Sequence, residues 1–487
     1  MGYFFEIFSK RHLTNQEKCA AALLIAINKA AFVVIDIRPD GTLQGGCTMK
    51  PKKAKVILRK AIQDLNHCKW FFTTDPQKDF SRKRKLSFEE MIQAILCMGG
   101  GSLTNEMMDM FGFREDLAST SAFVQQRAKI LPEAFEGLFD LFTKNTSDRK
   151  TYRGLQLLAV DGSDFLTASN PDDPESFFPG TGDQKPYNLL HLNAFYDLIR
   201  HVYVDALLQK RRCADECGAV VSMTDRSPLQ NVLLLADRGY ESYNVLAHLQ
   251  EKGWKFLIRI KNGVGGIASG LDLPVASEFD VRFSLNLTSK QSNEVKRLLK
   301  DKNHYRFVPS SSRFDFLPKN SRKYDPTVFY PLSFRIVRFP ISEKNSETVI
   351  TNLDEFNFPP SELKKLYAMR WGIETSFREL KYTVGLQHFH SKKTEFVHQE
   401  IFARLTMYNF YELITQSVII QQKNRKYAYK VNFSAAVHIC KQFFLRDLPP
   451  SCVEALLEKH ISPIRPGRSS PRKLKSKQPF GFFYRIA

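Results

Sequence analysis

The sequence predicts an α/β fold with helical segments before and after it, and three observations lead to this prediction. Apolar residues follow helical periodicity from Ser87 onwards, and short apolar runs typical of buried strands follow Tyr152. Residues 262–351 then alternate aromatic and β-branched residues with polar ones, which indicates further strands. With 487 residues the chain is long enough for several domains.

The first helical segment lies between a basic leader, Arg82 to Lys85, and the glycines at 99–101. Its apolar residues recur at helical spacing: Phe88, Met91, Ile92, Ile95 and Leu96. Ser102 or Thr104 can cap the next helix, and two more helices are predicted at 120–129 and 132–142. Short helices behind a basic leader fit a helix-turn-helix-like DNA-binding domain, but a plain helical bundle has the same periodicity.

The α/β region begins with an apolar run, Leu155 to Val160, that ends at Asp161. A second run, Val232 to Ala236, ends at Asp237. The other predicted elements of this region are strands at 189–198, 201–208 and 255–260 and helices at 215–224 and 242–252. The order of strand, strand, strand, helix, strand, helix, strand is the plan of a ribonuclease-H-like α/β domain.

The remaining regions differ in composition. The β-rich insertion carries one charged helical piece near 291–301, and the last 27 residues hold seven Lys or Arg and four Pro without an acidic residue. A helix at 16–31 and a strand at 32–37 are predicted before a Lys-rich run at Met49, where translation could also start. The predicted regions are an N-terminal extension (1–48), a helical DNA-binding domain (49–150), a ribonuclease-H-like catalytic domain (151–261 and 352–420), a β-rich insertion (262–351), a helical C-terminal region (421–460) and a basic tail (461–487).

The charge of the chain predicts a polyanionic partner. Lys and Arg number 71 against 51 Asp and Glu, which gives a net charge of +20 and a pI near 9.5. Eight cysteines are too few for a disulfide scaffold, and Cys213 and Cys217 have no CxxC spacing. Lys29 interrupts the most apolar early stretch, so no membrane span is predicted. We therefore expect a cytoplasmic protein in a cell where DNA is directly accessible.

Asp161 and Asp237 each follow an apolar strand, where a carboxylate is costly to bury unless it is paired or binds a cation. Gly162 would let the backbone turn sharply and leave Asp161 at the edge of the sheet. Two such strand ends in one sheet would bring two oxygen donors together, and these donors suit Mg²⁺ or Mn²⁺. Each aspartate taken singly could equally be a helix cap or a loop residue.

A third carboxylate lies on a long helix predicted from Ser361. At about 100° per residue, one polar stripe of this helix carries Tyr367, Arg370, Glu374 and Lys381. The adjoining face is apolar and would seat the helix on the sheet through Leu363, Leu366, Met369, Ile373, Phe377 and Leu380. A salt-bridged surface could produce the stripe, although a Tyr beside an Arg at the border of the core is unusual for one.

The spacing of this stripe matches the YREK signature of the bacterial insertion-sequence DDE transposases, and the chain resembles that family from about Ser87 to Ile420. Ala159 to Ser163 resembles the first acidic motif of the family and Asp237 to Tyr240 the second, and the β-rich insertion is also typical of it. The resemblance, which is to the cut-and-paste family exemplified by insertion sequence four, implies metal-dependent cleavage of transposon ends and strand transfer into target DNA.

By this resemblance, Asp161, Asp237 and Glu374 are the catalytic residues and hold two Mg²⁺ or Mn²⁺ ions. Arg370 and Lys381 would contact phosphates and Tyr367 the backbone at the transposon end. The implied partners are the terminal inverted repeats, target DNA and a second copy in a synaptic homodimer. Relatives that pass through a DNA hairpin can stack a flipped base on a Trp shortly before the YREK Tyr, and this Trp has no counterpart here, since the tryptophans are Trp70, Trp254 and Trp371. Either another residue does the stacking or the pathway avoids a hairpin. A nuclease on the same fold, or an inactive DNA-binding relative, are the alternatives.

Overall fold

The computed structural model describes residues 49–147, 149–180, 185–261, 263, 265–317, 328–342, 345–420, 427–446 and 448–464, together with the backbone of 34–37. The predicted helix at 16–31 and all of the basic tail after residue 464 lie outside the described residues. The beginning of that predicted tail, Ile461–Pro463, is a short strand.

The helices form two groups, one before and one after the central strands, with three between them. Their bounds are α1 (Pro51–His67), α2 (Phe88–Cys97), α3 (Leu103–Phe111), α4 (Thr120–Arg127), α5 (Glu133–Asn145), α6 (Glu216–Arg226), α7 (Tyr243–Glu251), α8 (Asn293–Leu298), α9 (Pro360–Met369), α10 (Trp371–Tyr382), α11 (Thr394–Thr415), α12 (Phe433–Leu445) and α13 (Pro450–Lys459).

Most strands of the described residues belong to one sheet. The strands are β1 (Val34–Ile37), β2 (Arg149–Tyr152), β3 (Gln156–Thr167), β4 (Phe177–Phe178), β5 (Tyr187–Asp197), β6 (Val202–Lys210), β7 (Val232–Ala236), β8 (Lys255–Arg259), β9 (Phe279–Thr288), β10 (Tyr305–Phe307), β11 (Tyr330–Ser342), β12 (Asn345–Thr351), β13 (Tyr429–Val431) and β14 (Ile461–Pro463). The large sheet has the order β10-β9-β11-β12-β8-β7-β3-β5-β4, with β6 on β5. Because β7 pairs in parallel with both β3 and β8, these three strands form a parallel centre.

The predicted element order of the α/β region is confirmed, so the protein has a mixed α/β fold with a large sheet. The strand β7 has the predicted bounds, and the tight connection between β5 and β6 is present. Asp197 fixes this connection, because its side chain accepts hydrogen bonds from the backbone N–H groups of Ile199 and Arg200. The Asp215 side chain caps α6 by accepting a hydrogen bond from the Gly218 backbone.

The β-rich insertion extends the central sheet. Strand β12 pairs with β8, and β11 and β9 continue the sheet in antiparallel fashion. The predicted helical piece is α8, flanked by the short strand β10. Strand β10 is short, Tyr305–Phe307, and the described residues from 308 to 317 form no strand.

The helices before and after the sheet pack into one core with it. One cluster of buried residues includes Phe139 of α5, Phe402 of α11 and Leu235 of β7. A capping box at the start of α2 links Ser87 and Glu90. Helix α1 occupies the Lys-rich run at Met49, which the sequence analysis did not assign to a helix, and it buries Leu58, Ile62 and Leu65.

Six cysteines lie within the described residues, and all six are free thiols. Three of them, Cys68, Cys97 and Cys440, are buried in the helical core. Among the helices that the structure describes, none has both the length and the apolar composition needed to cross a membrane.

Candidate active site

Asp161 and Asp237 lie next to each other at the end of the parallel pairing between β3 and β7. The last pair in that register is Val160 with Ala236, and each aspartate is the residue that follows one member of this pair. Both continue the face of the sheet on which Ala159 and Leu235 lie, because side chains alternate along a strand. That face belongs to the core cluster shared with α9 and α10.

The position of Asp161 within β3 differs from the prediction. The strand continues through Asp161 to Thr167, because β5 pairs with it along this whole length. Asp161 is therefore in the middle of a strand and at the end of its parallel pairing only. Gly162 does not form the predicted sharp turn, since it pairs with Asn193 within the sheet.

The half-buried Asp161 carries the most perturbed carboxyl of the predicted trio. Its Oδ1 accepts a hydrogen bond of 2.9 Å from the backbone N–H of Gly162. Burial raises the pKa of Asp161 to about 6, and the negative charges of Glu374 and Asp237 add to this, while the Gly162 hydrogen bond and Arg370 oppose it. The influence of both carboxylates on Asp161 indicates that the fold brings the three acidic side chains to one place.

Glu374 lies in the first turn of α10, and Arg370 lies at a break just before that helix. The predicted single helix from Ser361 is thus two helices, α9 and α10, interrupted at Arg370. Arg370 Nη2 donates a hydrogen bond of 2.8 Å to Glu374 Oε1. Although burial lowers it, Tyr367 and Glu374 raise the pKa of Arg370. Arg370 is buried and Glu374 is 31% exposed, so the carboxylate of this pair is the more accessible partner.

Tyr367 connects α9 to Asp237. The Tyr367 hydroxyl is 3.4 Å from Asp237 Oδ1, and Arg259 of β8 approaches the same oxygen at 3.8 Å. Burial raises the pKa of Tyr367 well above its usual range, so its hydroxyl remains a donor. Of the predicted apolar face beside this stripe, five residues are buried, but Met369 is 38% exposed because it precedes the break at Arg370.

Lys381 lies at the far end of α10 and contacts β3 beyond Asp161. Its Nζ donates a hydrogen bond of 2.9 Å to the backbone carbonyl of Asp164 and lies 4.8 Å from the centre of the Phe165 ring. Burial lowers the pKa of Lys381, and the charges of Asp164 and Asp161 oppose this effect. Lys381 therefore borders the acidic site and is half-buried in it.

The donor chemistry of the acidic site fits a hard divalent cation, because three carboxylates face one arginine and a more distant Arg259. Within the described part of the chain, however, no three His, Cys, Asp or Glu side chains have the arrangement of a metal-binding group. Glu374 is engaged by Arg370, so the carboxylates that the sequence analysis grouped together share a region of the fold without forming a ready set of ligands.

Two further groups beside the site were missed by sequence reasoning. His191 of β5 is buried on the opposite face of β3, between Asp164 and Glu216. Although burial lowers it, the hydrogen bonds to these carboxylates raise the pKa of His191 to about 9. Tyr240 is also buried, and its hydroxyl has no hydrogen-bond partner among the described residues. Tyr240 is part of the motif that begins at Asp237, so the sequence could have indicated it. Nothing in the sequence links His191 to Asp164.

Asp161 in β3, Asp237 directly after β7 and Glu374 in α10 lie in one region of the fold, and the chain belongs to the transposase DDE domain family, whose model matches residues 152–410. It is an IS4-like DDE transposase. The transposase InsG for insertion sequence element IS4 of Escherichia coli K12 is 23% identical over 348 residues, which cover 68% of this chain and 71% of that protein. The function is DNA transposition, and the protein is a DNA-cleaving and strand-transferring enzyme.

Among solved structures, the piggyBac transposase in a synaptic complex with hairpin DNA is similar, with a TM-score of 0.41 and 11% identity. The match covers 88% of this chain and 89% of that one. A TM-score of this size is too low to establish a shared fold.

Proposed function

We propose that this transposase cuts the ends of its element and joins them to target DNA at Asp161, Asp237 and Glu374, on a ribonuclease-H-like core. The observation that carries the proposal is the β3–β7 register, which puts the two aspartates side by side on the face that α10 covers. The effect of Glu374 and Asp237 on the pKa of Asp161 supports the same grouping. The alternative is a nuclease that cuts with these residues but joins nothing.

The carboxylates would hold Mg²⁺ or Mn²⁺, with two ions in the complete site. DDE transposases generally use divalent metal ions, which activate the attacking hydroxyl or water and stabilise the leaving oxygen when bound. Asp161 and Asp237 are the first ligands in this proposal, because neither is held by a close arginine as Glu374 is. Glu374 would complete the site by exchanging its bond to Arg370 for one to the cation.

This exchange gives Arg370 its DNA-binding role. While it is bonded to Glu374 its charge is neutralised, and it becomes available for a phosphate only when the carboxylate turns to a cation. The described hydrogen bond of Lys381 is to a backbone carbonyl and not to a carboxylate. Lys381 can therefore bind a phosphate without an exchange of partners. Tyr367 would orient Asp237 and meet the sugar–phosphate backbone at the transposon end.

Residues 49–150 would bind the terminal inverted repeats. The exposed basic side chains of this region that support the proposal are Lys52, Lys53 and Lys60 of α1 and Arg82, Lys83, Arg84 and Lys85 before α2. Since excision requires two ends to be cut together, we propose that a homodimer holds both ends and that each copy supplies one active site.

The decisive experiment supplies the inverted repeats that flank the gene, Mg²⁺ and a target plasmid. Cut ends and joined products are expected with the wild-type protein, and sequencing of the junctions checks them. Asp161→Asn, Asp237→Asn and Glu374→Gln should each abolish both steps and leave end binding in a gel-shift assay nearly unchanged. Wild-type cutting by any of these variants would refute its assignment.

The same assay separates the transposase from the nuclease when pre-cut ends are supplied. A transposase joins pre-cut ends to the plasmid, whereas a nuclease yields fragments and no joined product. Size measurement of the protein with two end fragments tests the homodimer, because a single copy bound to each separate fragment would contradict it.

A further inference from the structure

Behind the acidic site, on the opposite face of β3, a buried histidine bridges two carboxylates. His191 Nδ1 is 2.5 Å from Asp164 Oδ1, and its Nε2 is 3.2 Å from Glu216 Oε1 at the beginning of α6. The His191 side chain is 3% exposed, while Asp164 and Glu216 are 41% and 38% exposed. The imidazole is therefore hydrogen-bonded to Asp164 through Nδ1, while Nε2 lies at ion-pair distance from Glu216 without a hydrogen-bond partner among the described residues, so that the ring links β3, β5 and α6.

The imidazole also packs directly against the residue that follows Asp161. A Cβ atom added to Gly162 would lie 2.7 Å from His191 Cε1, and closer still to Nε2. No side-chain carbon fits at these distances, so residue 162 must be glycine as long as His191 keeps its place. The backbone of Gly162 thus rests on the ring of His191.

That backbone in turn orients Asp161. The N–H of Gly162 donates to Asp161 Oδ1, so a movement of this peptide moves the carboxylate hydrogen bond with it. Two cations hold the same segment of β3 further along. Arg211 Nε lies 3.0 Å from Asp164 Oδ1, and Lys381 bonds the Asp164 carbonyl. The strand that carries Asp161 is consequently restrained from both faces.

We propose that His191 is a positioning residue that, through Gly162, holds the Asp161 carboxylate in the orientation that binds the divalent cation. The inference rests on the proposed function of Asp161. Outer groups that orient metal ligands commonly contribute 10- to 100-fold to metal affinity. His191 makes no contact with DNA or with the reacting atoms in this role.

His191→Gln tests the proposal, because Gln has similar length but lacks the ring that packs against Gly162 and bonds Asp164. The Mn²⁺ concentration for half-maximal end cleavage should rise about 10-fold, whereas the affinity for end DNA without metal should stay the same. Mn²⁺ alone should also raise the Tm of the variant less than that of the wild type, because a ligand that binds the folded state more weakly stabilises it less. This second measurement needs neither DNA nor activity.

His248→Gln is the matched control. His248 of α7 also bridges two carboxylates, with Nδ1 2.9 Å from Asp225 and Nε2 3.1 Å from Asp315. It should lower Tm to a similar extent without changing the Mn²⁺ requirement. An equal change of the Mn²⁺ requirement in both histidine variants would overturn the proposal, because it would reduce the effect to general loss of stability.

Two further variants keep the test valid if His191→Gln does not fold. Glu216→Gln, at a half-exposed side chain, should raise the Mn²⁺ requirement in the same direction by a smaller factor. Gly162→Ala should raise it too, and combining it with His191→Gln should have less than the summed effect, because both act on one contact. A normal Mn²⁺ requirement in Glu216→Gln and Gly162→Ala would refute the role of His191.

The outcome is separable from that of the proposed function. If Asp161→Asn still cuts DNA, the assignment of Asp161 fails and the positioning role fails with it. If Asp161→Asn is inactive but His191→Gln has a normal Mn²⁺ requirement and a normal Mn²⁺-dependent Tm, only the positioning role fails.

Discussion

Two clusters in this protein are built from an arginine and a glutamate four residues apart, one pair within a helix and the other at the start of one, yet they have opposite electrostatic character. In the core, Glu400 bonds Arg404 at 3.2 Å and Arg127 of α4 at 3.0 Å, and it is fully buried. Burial raises the pKa of Glu400, but Arg127, His390 and Arg404 lower it well below its usual range. In the acidic site, one close arginine faces Glu374 while Asp161 has a raised pKa.

The difference is one of charge balance and accessibility. Two arginines and a histidine surround the core glutamate, so its negative charge is compensated, and its role is to join the N-terminal helices to α11. Three carboxylates share Arg370 and Arg259 in the acidic site, which leaves negative charge that is partly open to solvent. Surplus charge at an accessible position is what a cation-binding site requires, whereas a balanced and buried cluster stabilises the fold.

The largest expected effect comes from neutralising the glutamate of each cluster. Glu374→Gln should lower end cleavage by roughly 10³-fold or more, because a lost metal ligand removes several kcal/mol of transition-state stabilisation. Glu400→Gln should lower the free energy of unfolding by about 3–5 kcal/mol, because it leaves two buried arginines without their counter-charge.

Urea unfolding and an end-cleavage assay on both variants check this contrast. Glu374→Gln should change the free energy of unfolding by less than about 1 kcal/mol, since its partially exposed ion pair contributes little to stability. If the two variants lost stability equally, charge balance would not distinguish the clusters.

Glu412 extends the comparison to a buried carboxylate that has little positive charge around it. Glu412 of α11 is buried, and burial together with the charge of Glu379 raises its pKa to about 8. Its carboxyl is more easily ionised in the unfolded chain, so the wild-type protein should lose stability as pH rises from about 4.5 to about 8. Glu412→Gln should remove this loss, which is on the order of a few kcal/mol.

Thermal unfolding at pH 5 and pH 8 measures the effect. The Tm of Glu412→Gln relative to wild type should increase between these pH values, while Glu458→Gln, at an exposed position of α13, should leave the pH dependence unchanged. An unchanged difference across this range would mean that Glu412 is already ionised in the folded protein.

The smallest expected effect concerns the arginine of the acidic site. Arg370→Ala should reduce the salt dependence of binding to pre-cut ends by about one phosphate contact when Mn²⁺ is present, because the cation then releases Arg370 from Glu374. Lys381→Ala should reduce it with and without Mn²⁺. Titrations at several salt concentrations, with and without EDTA, compare the two slopes, and an equal loss for Arg370→Ala in EDTA would contradict the exchange of partners.

Where the sequence analysis succeeded, local chemistry was sufficient. The apolar run of β7, the Ser102 cap of α3 and the spacing of Glu374 from Tyr367 and Lys381 are properties of short segments. Where it failed, a distant partner decided the structure. Strand β3 passes through Asp161 because β5 pairs with it, and the insertion joins the central sheet because β12 pairs with β8.

The sequence by itself determined the class of enzyme, because the acidic motifs and the YREK spacing depend only on which residues occur and in what order. The tertiary structure alone decided how these residues are held. Arg370 is paired with Glu374, the helix that carries Tyr367 ends just before Arg370, and His191 lies behind Gly162. The physical reason is that hydrogen bonds and close packing depend on strand register and helix position, which bring together residues such as Asp164 and His191 that no local pattern connects.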